Sequence, residues 1–188
     1  MKSLNLTTIA FVSSLILLLN SCGAFSNKPS ATFVLTEVNG SKENVANMAF
    51  VDDNIAINWS YDSKDRFDFR LKNKTDRLIK ILWDNGAYIG NTGRSNRIIH
   101  KGVKFIKKDE AQHPTSVHPQ SFIDDLIIPS NIIRYSNVLE MWITGTLVGG
   151  SKEELNSYYG QTVKVVLPIE IDDIIIDYTF TFEIRKLS

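Results

Sequence analysis

Beyond residue 31, apolar and polar side chains alternate with a period of two more often than they recur at helical spacing, the signature of strands that bury one face. Ile55, Ile57 and Trp59 alternate with Ala56 and Asn58, and Phe67, Phe69 and Leu71 alternate with Asp68 and Arg70. Leu78 to Trp83 predicts a further strand, apolar on both faces except at Lys80. Val138 to Val148 alternates less regularly, yet its Trp, Ile, Thr and Val favour a pleated environment. Near the C-terminus Ile176, Tyr178, Phe180, Phe182 and Ile184 face one way, and Asp177, Thr179, Thr181, Glu183 and Arg185 the other. The preceding Gln161 to Ile171 directs Val163, Val165 and Leu167 inward, so the two segments form a hairpin turning at Asp172-Asp173. Pro168 cannot donate to a ladder, which predicts an edge or a bulge there.

One helical signal interrupts the strands. Ser151-Lys152-Glu153-Glu154 has capping-box spacing, Leu155, Tyr158 and Tyr159 follow, and Gly160 is placed to stop the turn. Many short antiparallel strands with polar turns and a single short helix predict an all-β fold, an antiparallel β-sandwich.

The first 22 residues have a different pattern. Met1-Lys2-Ser3 supplies positive charge, and Ile9 to Leu19 is apolar apart from a Ser pair, the layout of an export signal. That run is shorter than the roughly 20 residues of a bilayer-spanning helix. It ends in Leu19-Asn20-Ser21-Cys22, which resembles the lipobox of bacterial lipoproteins. The resemblance implies recognition by the signal peptidase through Leu19 and Ser21, removal of residues 1–21, and acylation of Cys22 as the first mature residue. Cys22 is the sole Cys, so neither an intrachain disulfide nor a multi-thiol metal site is available. Gly23 stands where an Asp would, by resemblance to enterobacterial lipoproteins, retain the protein at the inner membrane. The short, polar, Pro-containing residues 22–31 read as the lipidated Cys and a tether, and 32–188 as one domain. No acidic run follows Cys22. The expectation is a domain held by lipid on the outer membrane and facing the periplasm.

Within that domain, Phe69-Arg70-Leu71-Lys72-Asn73-Lys74-Thr75 followed by Leu78-Ile79-Lys80-Ile81 resembles the immunoglobulin-like accessory domains that stand behind many bacterial lipoprotein anchors, where a strand ends in an Asn-x-Ser/Thr turn and returns. Val117-His118-Pro119-Gln120-Ser121-Phe122 is similar to their Pro-Gly-Ser stretch, with Gln120 in place of Gly. The resemblance implies an immunoglobulin-like β-sandwich that binds or braces rather than catalyses.

Charge narrows the function further. Lys and Arg total 21 against 21 Asp and Glu, which leaves no basic surplus for nucleic acid. His113 and His118 flank a Pro-containing segment and are the candidate metal ligands, with Asp109, Glu110, Asp124 or Asp125 as a third. They also carry the alternative reading, a metal-dependent or glycan-acting envelope enzyme. The pairs Asp52-Asp53, Asp124-Asp125 and Asp172-Asp173 read as turns, without the Asp-x-Asp-x-Asp spacing of a calcium loop. Gly86 to Arg94 lacks the Gly-Lys-Ser/Thr of a phosphate loop and reads as a hairpin connection, with Tyr88, Arg94 and Arg97 as possible ligand contacts. Trp59, Trp83, Trp142, Tyr158 and Tyr159 are candidate sugar platforms, otherwise core. Lys101, Lys104, Lys107 and Lys108 form a local basic run. No nucleophile motif is present and no cofactor is expected. The expected partners are the membrane, through lipid on Cys22, and an envelope protein or glycan.

Overall fold

The computed structural model describes residues 31–187; the signal-peptide and lipobox expectations lie outside the described residues. The described strands are β1 (Ala31–Val38), β2 (Val45–Ala46), β3 (Ala49–Val51), β4 (Ile55–Ser60), β5 (Phe67–Asn73), β6 (Ile79–Ile81), β7 (Ala87–Ile89), β8 (Ser95–His100), β9 (Thr115–Val117), β10 (Phe122–Pro129), β11 (Ile133–Ser136), β12 (Met141–Thr144), β13 (Thr162–Ile171) and β14 (Ile174–Lys186). One helix, α1 (Lys152–Tyr158), precedes β13. The fold is all-β and its strand pairs are antiparallel.

Twelve strands share one sheet, whose path runs β1-β14-β13-β7-β8-β10-β5-β4-β3-β2, with β6 beside β13 and β9 beside β6; β11 and β12 pair separately. β8 pairs with β7 on one side and β10 on the other, so one ladder links both packed faces. The ends of the path come back together: the Leu35 N–H on β1 approaches Met48 Sδ at 3.2 Å, and Phe33 stands edge-on to Tyr61 at 4.6 Å. The sheet is therefore nearly closed and barrel-like. Its interior holds the alternating residues that the sequence predicts, Tyr178, Phe180, Phe182 and Ile184 from β14 against Trp59 and Phe67 from β4 and β5. Trp59 lies 5.1 Å from Phe180 and 5.4 Å from Phe182.

The β13–β14 hairpin closes through Asp172 and Asp173 at φ 49° and 61°, with Ile171 opposite Ile174. Two left-handed residues make the primed turn whose twist matches the strands. Ser151 and Glu154 cap α1 reciprocally, as the spacing predicts.

Three expectations need correction. Pro168 is at neither edge nor bulge; it lies inside β13, between the segment paired with β7 and the segment paired with β6. Its carbonyl accepts from the Leu82 N–H at 2.9 Å, and its missing N–H falls where the partner strand changes. Only Met141 to Thr144 of the segment 138–148 is strand. Val138 and Leu139 instead form the tip of the β11–β12 hairpin, closed by the Leu139 N–H on Ser136 Oγ at 3.2 Å and by Glu140 at φ 51°. Leu78 to Trp83 shortens to β6, after which Trp83 turns into a 3-10 turn with its ring in the core.

The two turn motifs interlock. Asn73, fully buried, donates through Nδ2 to the carbonyls of Arg77 (2.6 Å), Val117 (3.0 Å) and His118 (3.2 Å), and its Oδ1 accepts from Thr75 N and Oγ1 at 2.9 and 2.7 Å. Gln120 takes φ 57°, a left-handed conformation that glycine tolerates best. Its Nε2 donates to the carbonyls of Lys74 and Thr75 at 2.7 and 3.1 Å, contacts that a glycine would lack.

At the same end, Tyr178 donates to Asp52 Oδ2 at 2.7 Å, while Asp52 Oδ1 accepts from the Asn54 and Ile55 backbones, making the expected turn. Burial, then the hydrogen bond to Asp52, raises the Tyr178 pKa above its ordinary value of 10.0. Tyr61 and Tyr88 are raised as well, chiefly by burial. The fold thus favours the neutral phenols, so their stabilisation is complete below about pH 10 and is lost as pH rises above it. Tyr178→Phe should cost about 1 kcal/mol at neutral pH and flatten that alkaline loss, as measured by urea unfolding at neutral pH and above pH 10. An unchanged alkaline slope would remove Tyr178 as a source of it.

Candidate functional site

Two open clefts, each of about 610 Å³, lie on either side of Lys101. The first occupies the outward face of β4, β5 and β10. The period-two pattern that buries Trp59, Phe69 and Leu71 turns Asn58, Asp68 and Arg70 outward, and antiparallel register places Asp124 opposite Arg70. Arg70 grips Asp124 with two hydrogen bonds, 2.7 Å from Nε and 2.9 Å from Nη2, and its guanidinium lies 4.6 Å over the Phe122 ring. Those hydrogen bonds to Arg70 are the main reason the Asp124 carboxyl sits below its ordinary range. Both side chains are exposed, so the pair fixes geometry more than it adds stability. Arg66, Arg70 and Lys101 are balanced here by Asp68, Asp124 and Asp125.

The second cleft is basic. It lies between the loop after β8, the 3-10 turn Phe105–Lys107 and residues 110–115. Lys101, Lys104 and Lys107 face a single carboxylate, Glu110, which pairs with Lys107 at 3.0 Å. Among the described residues, Lys101 and Lys104 form no ion pair. His100 and His113 line the same wall. An anionic group entering this cleft meets three lysines against one carboxylate.

His100 and Asp125 are built into the wall between the clefts. His100 stacks flat on Trp83, with centroids 4.4 Å apart and planes 3° apart, and Trp83 Nε1 donates to Thr115 Oγ1 at 2.8 Å. The His100 Nδ1 stands 3.4 Å from Asp125 Oδ2, off the line of a hydrogen bond. Asp125 Oδ1 accepts from the backbones of Lys101 and Leu126, both at 2.8 Å.

This corrects the reading of Asp124-Asp125 as a turn. The pair lies within β10, and the alternation sends Asp124 outward to Arg70 and Asp125 toward His100. Cross-strand and backbone partners satisfy both carboxylates, which is why a strand tolerates them.

His113 and His118 are both exposed and stand at opposite ends of β9. Five residue steps of extended chain separate them by about 16 Å, at roughly 3.3 Å per step, so they do not converge on one ion. Among the described residues, no group of three His, Cys, Asp or Glu is placed to hold a metal. Asp109 pairs with Lys108 at 3.0 Å. Tyr88, Trp59 and Trp83 are buried, which removes them as ligand or sugar platforms; Trp142 is half-buried. Arg97 bonds Asp84 and the Glu110 carbonyl, leaving Arg94 exposed in the β7–β8 connection. The Arg70–Asp124 pair and the Trp83–His100 stack join residues far apart in the sequence and carry no local signal of the contact. Only the outward alternation of Asp68 and Arg70 hints at the first.

No protein-family model matches the chain, and no curated protein matches it. A solved structure described as the crystal structure of a protein from Archaeoglobus fulgidus aligns at 12% identity over 71% of this chain and 95% of that chain, with a TM-score of 0.29.

Proposed function

We propose that this chain is a lipid-anchored cell-envelope protein whose immunoglobulin-like domain is a non-catalytic binding or accessory module facing the periplasm from the outer membrane. The observation that carries the reading is Leu19-Asn20-Ser21-Cys22 at the end of an apolar leader, with only residues 23 to 30 between Cys22 and β1. Acyl chains on Cys22 would hold the domain at a membrane without a spanning segment. No helix among the described residues is long and apolar enough to cross one.

The accessory-domain reading gains support from the Asn73 and Gln120 turns, which occupy the two motifs of the resemblance and lock onto each other. Because β1 and β2 come together, the ends of the sheet path leave little room for an added strand. The clefts beside Lys101 are the surfaces this reading gives to a partner. The basic cleft suits an anionic group of an envelope protein or glycan.

In-cell crosslinking of the tagged full-length protein, with mass spectrometry of what copurifies, tests both parts. Wild type should fractionate with membranes and capture a discrete partner, and Cys22→Ala should lose membrane retention. Equal retention of Cys22→Ala would remove the anchor. Capture unaffected by Lys101→Glu with Lys104→Glu would remove the basic cleft as the partner surface.

A further inference from the structure

The β11–β12 hairpin carries apolar side chains where a folded domain has no use for them. Val138 is 92% exposed and Leu139 61%, with Met141 and Tyr135 about half exposed beside them. Only the root is packed: Ile133 is buried with Ile99 and Ile128, Trp142 rests against that cluster, and Thr144 Oγ1 donates to Asp65 at 2.6 Å. Tyr135 and Trp142 are register partners in edge-on contact at 5.7 Å. An apolar tip thus gives way to a Tyr–Trp pair and then to the polar body of the domain. Amphipathic rings in that order suit the boundary between acyl chains and headgroups.

The hairpin is rooted at the end of the domain where the chain enters. β1 begins at Ala31 opposite Lys186, and two residues later Phe33 packs on Tyr61. From there the Leu147 N–H donates to the Lys64 carbonyl, and the Gly145 N–H donates to Ile132 across the hairpin root, both at 2.8 Å. The turn at Asp172-Asp173 and the Asn73 knot lie at the other end. Residues 23 to 30 reach at most about 30 Å when extended, so acyl chains on Cys22 would keep this end close to a bilayer.

We infer that the hairpin tip, Val138, Leu139 and Met141 bordered by Tyr135 and Trp142, inserts into the surface of the lipid bilayer as a second membrane contact that orients the domain. The inference rests on the anchor reading and extends it. A second copy of the chain is a poorer occupant, because a few side chains at the end of a two-stranded hairpin fall short of the about 800 Å² per partner that stable interfaces bury. The tip holds one acid, Glu140, and no Lys or Arg, so its contact is apolar and should persist at high salt.

The test uses full-length protein purified from membranes and reconstituted into phosphatidylethanolamine/phosphatidylglycerol vesicles with brominated acyl chains. Leu139→Trp places an indole at the tip, and Phe122→Trp places one at an exposed position toward the opposite end. Mass spectrometry of the N-terminal peptide reports lipid on Cys22 separately. Both variants are read as differences from the wild type, whose Trp59, Trp83 and Trp142 set the baseline. The expected result is an added blue-shifted, bromine-quenched signal from position 139 and an added water-exposed, unquenched signal from position 122. Acylated Cys22 with an unquenched position 139 would overturn the hairpin inference and leave the anchor standing. Quenching at 139 without lipid on Cys22 would overturn the anchor and keep the hairpin as a membrane contact in its own right. Equal quenching at both positions would overturn the proposed orientation.

Discussion

Asn73→Ala is expected to destabilise the domain by about 3 kcal/mol, which for a domain of this size lowers Tm by roughly 6 to 12 °C. The side chain is fully buried and uses its whole hydrogen-bonding capacity, donating to three carbonyls and accepting from the backbone and hydroxyl of Thr75. Truncation removes this donor from the Val117 carbonyl and this acceptor from the Thr75 N–H, while the Arg77 and His118 carbonyls keep Thr75 Oγ1 and Ser121 as donors. Each buried polar group left unsatisfied costs about 1–3 kcal/mol. Asn73→Asp separates shape from chemistry. It keeps the acceptor toward Thr75 but turns a carboxylate on the carbonyls of Arg77, Val117 and His118. Folding would then favour the protonated acid, so this variant should gain stability as pH falls toward its unfolded pKa, near 3.9. Thermal and urea unfolding of the three proteins measures both effects. A loss under about 1 kcal/mol for the Ala variant would show water taking over the amide's role.

Asn73 also shows where sequence reading stops. Its position at the end of an alternating strand, two residues before Thr75, marks a turn. Nothing local reveals that the same amide holds the carbonyls of Val117 and His118, 44 and 45 residues on. The legible features are those decided within a few residues: the alternation of β4, β5 and β14, the reciprocal cap of α1, and the two-Asp turn between β13 and β14. The misread ones depend on a distant partner. Asp124 and Asp125 resemble a turn until Arg70 and His100 are placed beside them. Pro168 looks unfit for a central strand unless the partner changes beside it. Val138 and Leu139 look like strand interior by composition, and only their exposure marks them as a tip. The cleft over β4, β5 and β10 is hidden for the same reason, because it gathers strands far apart in the chain, whereas the basic cleft is built within residues 100–115 and its lysines are visible as a local run.

Phe67→Ala is expected to cost about 4 kcal/mol, within the 3–5 kcal/mol typical of a buried Phe truncation. The ring is fully buried. It stacks on Phe182 of β14 at 4.6 Å, meets Phe33 of β1 edge-on at 4.9 Å, and lies 5.6 and 6.1 Å from Tyr61 and Trp59. One side chain on β5 therefore ties the β1–β14 end of the sheet path to the β4–β5 end, where the near-closure is made. A cavity there weakens packing across the barrel, and a domain whose net stability is only 5–15 kcal/mol would lose a large share of it. Phe122→Ala is the matched control. Phe122 lies on β10, which pairs with β5, but its side chain is 55% exposed and lies under the Arg70 guanidinium. That change should cost no more than about 1 kcal/mol. If urea unfolding finds the two variants equally stable, the halves of the sheet are not packed across one another and the near-closed architecture fails. A difference of about 3 kcal/mol between two phenylalanines on neighbouring strands would instead report the face that each one occupies.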